Sequence, residues 1–145
     1  MKDLIIKLEE KPDSQAKKFI VDSLVAFNYT KAKKGNYKAL VLTLRNKNNI
    51  LFGGLVGYTH WDWIFVSHLW IHQDLKNNGY GKKLLESAEQ EALKRDCHSA
   101  HLDTFDFQAT GFYQKMGYEI FGELTDYPLG HKRYFLKKNL ILKIS

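Results

Sequence analysis

The stretch that most constrains this chain runs from Val66 to Arg95, VSHLWIHQDLKNNGYGKKLLESAEQEALKR. Its apolar beginning, Val66 to Ile71, reads as a strand. A polar turn holding Gly79 and Gly81 follows, and then an amphipathic helix. Leu84, Leu85, Ala88, Ala92 and Leu93 recur at helical spacing, while Lys82, Lys83, Glu86, Glu89, Gln90, Glu91 and Lys94 fall on the other side. The apolar stripe is expected to pack on a sheet and to leave the helix start free for a ligand. Unpaired backbone N–H groups and the helix dipole favour an anion there.

Two familiar phosphate loops do not fit. The dinucleotide fingerprint needs a third glycine three residues after Gly81, and that position is Leu84. The P-loop needs Ser or Thr after Gly81-Lys82 and a glycine five residues before Gly81. Those positions are Lys83 and Lys76. A short G-x-G flanked by Lys76, Lys82 and Lys83 remains. Glycines remove side chains where backbone must approach closely, and the lysines offset negative charge. Taken alone, these residues fit a phosphate cradle or a solvated turn before a surface helix equally well.

A second stretch, Leu102 to Gly117, reads LDTFDFQATGFYQKMG. Together the two resemble the GNAT acyl-coenzyme A N-acyltransferase superfamily, in its small bacterial type. The first family signature, Q/R-x-x-G-x-G/A after the fourth strand, is matched by Lys76-Asn77-Asn78-Gly79-Tyr80-Gly81. The second is a strand, a polar residue, an alanine and F-Y-x-K-x-G-F/Y. It is matched by Asp106, Ala109 and Phe112-Tyr113-Gln114-Lys115-Met116-Gly117-Tyr118. The resemblance covers about Val41 to Lys138. The tail from Asp126 to His131, followed by Arg133-Tyr134-Phe135, looks like that of a bacterial subgroup of small members.

The resemblance implies an α+β fold in one domain spanning 1–145. It implies a mixed central sheet of about six to seven strands, with an antiparallel N-terminal meander, splayed strands at the cofactor site and helices on both faces. It implies acetyl-coenzyme A as co-substrate, no metal, and a small amine or peptide amine as acceptor. Backbone amides from Asn77 to Lys82 would hold the pyrophosphate, so Asn77, Asn78, Gly79, Tyr80, Gly81 and Lys82 are cofactor-binding candidates, joined by Lys76 and Lys115. Pantetheine would pair with backbone at Leu69, Trp70 and Ile71, and the N–H near Ile71 would serve the oxyanion. Family members usually carry Gln or Arg at the place of Lys76. Lysine supplies charge there but no planar fork. Tyr113 matches the family tyrosine beside the thioester sulfur, where a phenol can protonate the leaving thiolate. By its residue type alone, Tyr113 reads as a core tyrosine. Family members often dimerise, so a homodimer is a further expectation.

Composition limits the alternatives. A chain of 145 residues suits one core, and 44% hydrophobic with 26% charged residues describes a soluble folded protein. No run approaches the roughly 20 apolar residues that span a membrane. The start, MKDLIIKLEEK, is too short and too charged for a secretory signal, so the expected location is cytoplasmic. The single cysteine, Cys97, excludes an internal disulfide and reads as a small buried apolar residue rather than a nucleophile. The net charge of +6 is scattered, which argues against a dedicated nucleic-acid surface. The phosphates of coenzyme A would use part of it.

Along the chain, Asp3 to Leu8 reads as a first strand. Pro12-Asp13-Ser14 starts a helix to about Phe27, with Ala16, Phe19, Ile20, Leu24 and Phe27 on one face. Asn28 to Tyr37 reads as a loop, where Phe27, Asn28 and Tyr29 are either acceptor contacts, as the resemblance implies, or plain connection. Lys38–Arg45, Ile50–Trp61 and Trp63–Ile71 read as a three-strand meander. Gly53, Gly54 and Gly57 suggest a bulge or close backbone approach in its middle strand. A crossover helix leads to a strand at Ala100–Thr104. Asp106 is read as N-cap of a helix from Phe107 to Met116, with Gly117 stopping it. Gly111 inside that helix suggests tight packing or a close ligand. Tyr118–Leu124 and Arg133–Lys138 complete the sheet.

The base is the open question. The strand from Val66 to His72 has no carboxylate. His60, Asp62, His68 and His72 are the nearby titratable groups, and alternation puts His68 and His72 on one face. A structural role, or an amine arriving already deprotonated, fits as well. No carboxylate or cysteine accompanies these histidines at metal-ligand spacing. Asp126 and His131 either line an acceptor pocket or shape a turn. The leading function is acetyl transfer from acetyl-coenzyme A to a primary amine. The alternative is a catalytically idle acyl-coenzyme A-binding or sensor domain.

Overall fold

A computed structural model describes residues 3–11 and 14–141. The chain divides into two compact units, Met1–Lys34 and Gly35–Ser145. In the first, residues 3–9 form no regular element, so the strand expected at Asp3–Leu8 is absent. Loose alternation of apolar residues does not by itself make a strand, because an unpaired strand leaves its backbone groups unsatisfied. Pro12 and Asp13 lie outside the described residues. Ser14 caps helix α1 (Gln15–Lys31), its side chain accepting from Lys17 N–H. The helix outruns the expected end at Phe27 by one turn, so Asn28 and Tyr29 are helical rather than loop residues. Ala32 closes it with an N–H to Asn28 O bond of 2.9 Å.

The second unit holds a six-stranded mixed sheet in an α+β arrangement. Its strands are β1 (Lys38–Arg45), β2 (Leu51–His60), β3 (Trp63–Ile71), β4 (Ser99–Phe105), β5 (Glu119–Thr125) and β6 (Lys132–Asn139). Their order is β1-β2-β3-β4-β6-β5, with only β3 and β4 parallel. Helices α2 (Tyr80–Lys94) and α3 (Thr110–Lys115) lie between β3 and β4 and between β4 and β5 in the chain. A parallel neighbour needs a crossover, and α2 is that crossover. Short turns at Asn46–Asn49 and Trp61–Asp62 make the expected meander. Asn49, Trp61 and Asp62 all take positive φ there.

One face of the sheet meets the apolar stripe of α2. Leu40, Leu55, Ile64, Val66, Leu102 and Leu136 from the strands pack with Leu85, Ala88 and Ala92. Leu55, Ile64, Leu85, Leu102 and Leu136 are fully buried, each worth about 1.5–3 kcal/mol in transfer from water. The glycines of β2 permit close approach. A Cβ on Gly57 would come within 2.2 Å of Phe65 O, and one on Gly54 within 2.6 Å of Leu42 O. Among the described residues no helix is long and apolar enough to cross a membrane.

Candidate active site

The site begins where β3 and β4 part. They pair from Trp63↔Ser99 to Val66↔Leu102 and no further. The reason is a bulge. Val56 faces His68 while Gly57 faces Val66, so Ser67 is the extra residue. Ser67 Oγ donates to Val56 O at 3.0 Å and holds the bulge in place. Beyond it, β3 stays bound to β2, and β4 stays bound to β6 through Phe105↔Arg133. The two strands thus open a wedge inside one sheet.

Main-chain donors line that wedge. His72 N–H bonds Phe52 O at 2.7 Å, on the β2 side. N–H groups alternate sides along a strand, so those of Leu69 and Ile71 point to the edge where β4 has left. Leu69, Trp70 and Ile71 are therefore the open stretch.

The glycine turn follows at the same end of the sheet. A short 3-10 turn, Gln73–Leu75, is capped by His72, whose Nδ1 accepts from Asp74 N–H at 3.1 Å. Asn77 then takes φ 64°, and Gly79 takes φ 82° as N-cap of α2. Gly79 carries no side chain to cap the helix, so the first N–H groups of Tyr80, Gly81 and Lys82 keep no capping partner. Asn78 Nδ2 donates to Lys76 O at 3.1 Å and tightens the turn. A Cβ on Gly81 would meet only the Phe112 ring, at 3.5 Å. Packing within the protein does not demand glycine there. Lys82 lies 3.9 Å from Glu86, and Lys83 sits over the Tyr80 ring at 5.3 Å. An uncapped helix start with glycines and lysines suits a pyrophosphate.

Tyr113 lies on α3 and is buried in the core cluster. Burial first, and the Asp103 charge second, push its phenol up to about 12. It stays protonated at any physiological pH. Lys115 ends the same helix. Helix α3 is shorter than expected, because Ala109 rather than Asp106 is its N-cap. Asp106 is engaged elsewhere. Its carboxylate accepts from His131 Nδ1 at 2.9 Å and from Lys132 N–H at 3.0 Å, which ties the end of β4 to the start of β6. Desolvation alone would raise the Asp106 pKa, but the bond to His131 and then the backbone N–H of Lys132 outweigh it and bring it below the ordinary value. Gly117 ends the helix as expected, at φ 95°. Gly111 has no tight neighbour, since an added Cβ would meet nothing within 4 Å. Of the two readings of Gly111, tight packing is thereby removed.

Several features had no sequence signal. Asp103 and Arg133 are 30 residues apart, yet Arg133 Nε donates to Asp103 Oδ1 at 3.0 Å. The same guanidinium lies over the rings of Phe105, Tyr127 and Phe135 at 4.9 to 5.5 Å. The Thr110 hydroxyl is buried without a hydrogen-bond partner among the described residues. His68 and His72 do share a face, with Trp70 between them. His60 lies apart from them, at the far end of β2 opposite Trp63. No group of three or more metal-ligating side chains occurs among the described residues.

Comparison with known proteins places this arrangement. The model of the acetyltransferase (GNAT) family matches residues 6–118. The acetyltransferase Atu2258 of Agrobacterium fabrum is 35% identical over 131 residues, which cover 90% of this chain and 96% of the relative. Blasticidin-S acetyltransferase of Streptomyces morookaense is 40% identical over 91 residues, 62% of this chain and 67% of the relative. A crystal structure of an acetyltransferase from Bacillus cereus is similar with a TM-score of 0.84 at 29% identity, covering 92% of this chain and 97% of that one.

Proposed function

The chain belongs to the acetyltransferase (GNAT) family, and on that premise we propose that it moves an acetyl group from acetyl-coenzyme A to a primary amine by direct attack. The observation that carries this reading is the wedge between β3 and β4 with the uncapped start of α2 at its end. Pantetheine extends along Leu69, Trp70 and Ile71 as a strand would, and the pyrophosphate rests on the amides of Asn77 to Lys82. Lys76 and Lys115 add positive charge. The N–H of Ile71 meets the carbonyl oxygen and stabilises the tetrahedral oxyanion.

Tyr113 serves the leaving sulfur. Complete transfer of its proton to a thiolate whose thiol has an ordinary pKa, about 8.5, would run uphill by about 5 kcal/mol. Its part is therefore a hydrogen bond to the departing thiolate, with the phenol giving its proton only as it regains one from the nitrogen of the tetrahedral intermediate. The C–N bond forms, the C–S bond breaks, and no covalent enzyme intermediate arises.

The acceptor is an amine with a free lone pair. Blasticidin S belongs in the first panel because a relative's name cites it. Thiol release should be followed with acetyl-coenzyme A and blasticidin S, an aminoglycoside, a polyamine, a free amino acid and an alanine-led peptide. Release with at least one amine supports the reading. Tight acetyl-coenzyme A binding with no release would assign the idle acyl-coenzyme A-binding role instead. A structure with saturating acetyl-coenzyme A and an empty glycine turn would refute both.

A further inference from the structure

The bulge that opens the sheet also sets the protonation of a neighbouring histidine. Ser67 Oγ lies 3.0 Å from Val56 O and 2.9 Å from His68 Nδ1. A carbonyl oxygen only accepts, so the single hydroxyl proton of Ser67 goes to Val56. The contact with His68 is then an Nδ1–H donated to Ser67 Oγ. The neutral ring is thereby held with its proton on Nδ1 and its lone pair on Nε2.

The position of this ring matters as much as its tautomer. Leu69 pairs with Leu55 and packs on the core, so His68, opposite Val56, stands on the other face of the sheet. Tyr113 belongs to the core on the α2 side. The two side chains therefore stand on opposite faces of the sheet. A nucleophile entering from one face and a sulfur departing toward the other need this disposition.

We propose that His68 is the base that takes a proton from the acceptor ammonium, a role that rests on the acyl-transfer reading above. The ammonium gives one proton to Nε2, and the freed amine attacks the thioester carbonyl. The C–N bond forms and the C–S bond breaks. The second amine proton replaces the one that the Tyr113 phenol passes to sulfur. His68 returns its proton to solvent, so amide, free thiol and one proton result. In the sheet His68 lies on β3, with β2 on one side and the departing β4 on the other. Strand β2 supplies Val56, which is uncharged. Strand β4 parts from β3 after the Val66↔Leu102 pair, and the carboxylate of its next residue, Asp103, is bound by Arg133 of β6. On β3 itself, the Nδ1 of His72 is taken up by the Asp74 N–H. His68 forms none of the described ion pairs.

Two measurements test this on the full chain. Nitrogen-15 NMR of histidine-labelled protein at neutral pH should find His68 protonated on Nδ1 with Nε2 bare, and the opposite tautomer overturns the proposal. Kinetics would use the amine from the panel above that releases thiol fastest. His68→Gln should lower kcat/KM roughly 100-fold and flatten the acidic limb of its pH profile. Its acetyl-coenzyme A Kd should stay within about twofold, and added imidazole should restore part of the activity of His68→Ala. An unchanged pH profile in His68→Gln overturns this role and leaves acyl transfer standing. No thiol release by the unaltered protein with any amine removes the acyl-transfer reading, and the base with it.

Discussion

The Tyr118 hydroxyl donates a 2.9 Å hydrogen bond to Glu89 Oε2, and Lys138 Nζ reaches Glu89 Oε1 at 2.8 Å. One carboxylate, with its side chain only 10% exposed, thus joins α2, the turn after α3 and β6. Each group is paired, so the cost of burying the charge is offset by its neighbours.

Removing that carboxylate should unsettle the core. Glu89→Ala strands a buried phenol and a half-buried ammonium. The expected loss is about 3 kcal/mol, or a Tm drop of roughly 6–12 °C. Glu89→Gln keeps an acceptor for Tyr118 and should cost less. Thermal unfolding of both variants checks the order, and equal losses would contradict it.

Alkali should weaken the fold through two tyrosines. Burial and, in turn, the charges of Asp103 or Glu89 raise the pKa of Tyr113 to about 12 and that of Tyr118 further. Both have folded-state values above the ordinary value of 10. Above that pH the unfolded chain loses these protons while the folded chain keeps them, so stability falls with rising pH. Below pH 10 the contribution is fully present. For Tyr113 it is lost between 10 and about 12, at roughly 1.4 kcal/mol per pH unit, and Tyr118 adds a similar slope. Urea unfolding from pH 8 to 11 measures this, and Tyr113→Phe should halve the slope.

The glycine turn can be probed without disturbing the backbone. Gly79 sits at φ 82°, where any side chain is strained, so a change there mixes folding with binding. Gly81 has no such constraint and meets only Phe112. Gly81→Val should keep most of the stability yet raise the acetyl-coenzyme A Kd at least about tenfold, since the branched side chain would enter the space proposed for the pyrophosphate. Calorimetric titration decides it. An unaltered Kd would remove the cradle from this turn.

Tyr113→Phe separates chemistry from binding. The ring and its packing remain, and the hydroxyl is lost. The expected result is a fall in kcat of about 100-fold with the acetyl-coenzyme A Kd nearly constant. A proportional rise in Kd with unchanged kcat would make Tyr113 a packing residue.

The elements that the sequence placed well are those whose pattern is local. The alternation in Lys38–Arg45 and Trp63–Ile71 and most of the stripe of α2 need no distant partner to be recognised, although Glu89, read on the outer side, is buried against Tyr118 and Lys138, and Leu93, read in the stripe, is exposed. The glycines of β2 likewise announced the close approach that Phe65 O and Leu42 O make. Where the reading failed, distant partners decided. Asp3 to Leu8 has the composition of a strand, yet residues 3–9 form no regular element, since a strand exists only when paired. Asp106 looks like a helix cap, yet His131 and Lys132 claim its carboxylate, and α3 starts later.

By itself the sequence determined the glycine turn, the order of strands and helices from Lys38 onward, and the two signatures that match the family, because spacing along the chain encodes each of them. Tertiary structure alone decided that Ser67 is the extra residue of a bulge, that β4 leaves β3 after Val66, and that Ser67 Oγ stands 2.9 Å from His68 Nδ1. These depend on register between strands, and a one-residue slip in register writes no mark in either strand's own sequence.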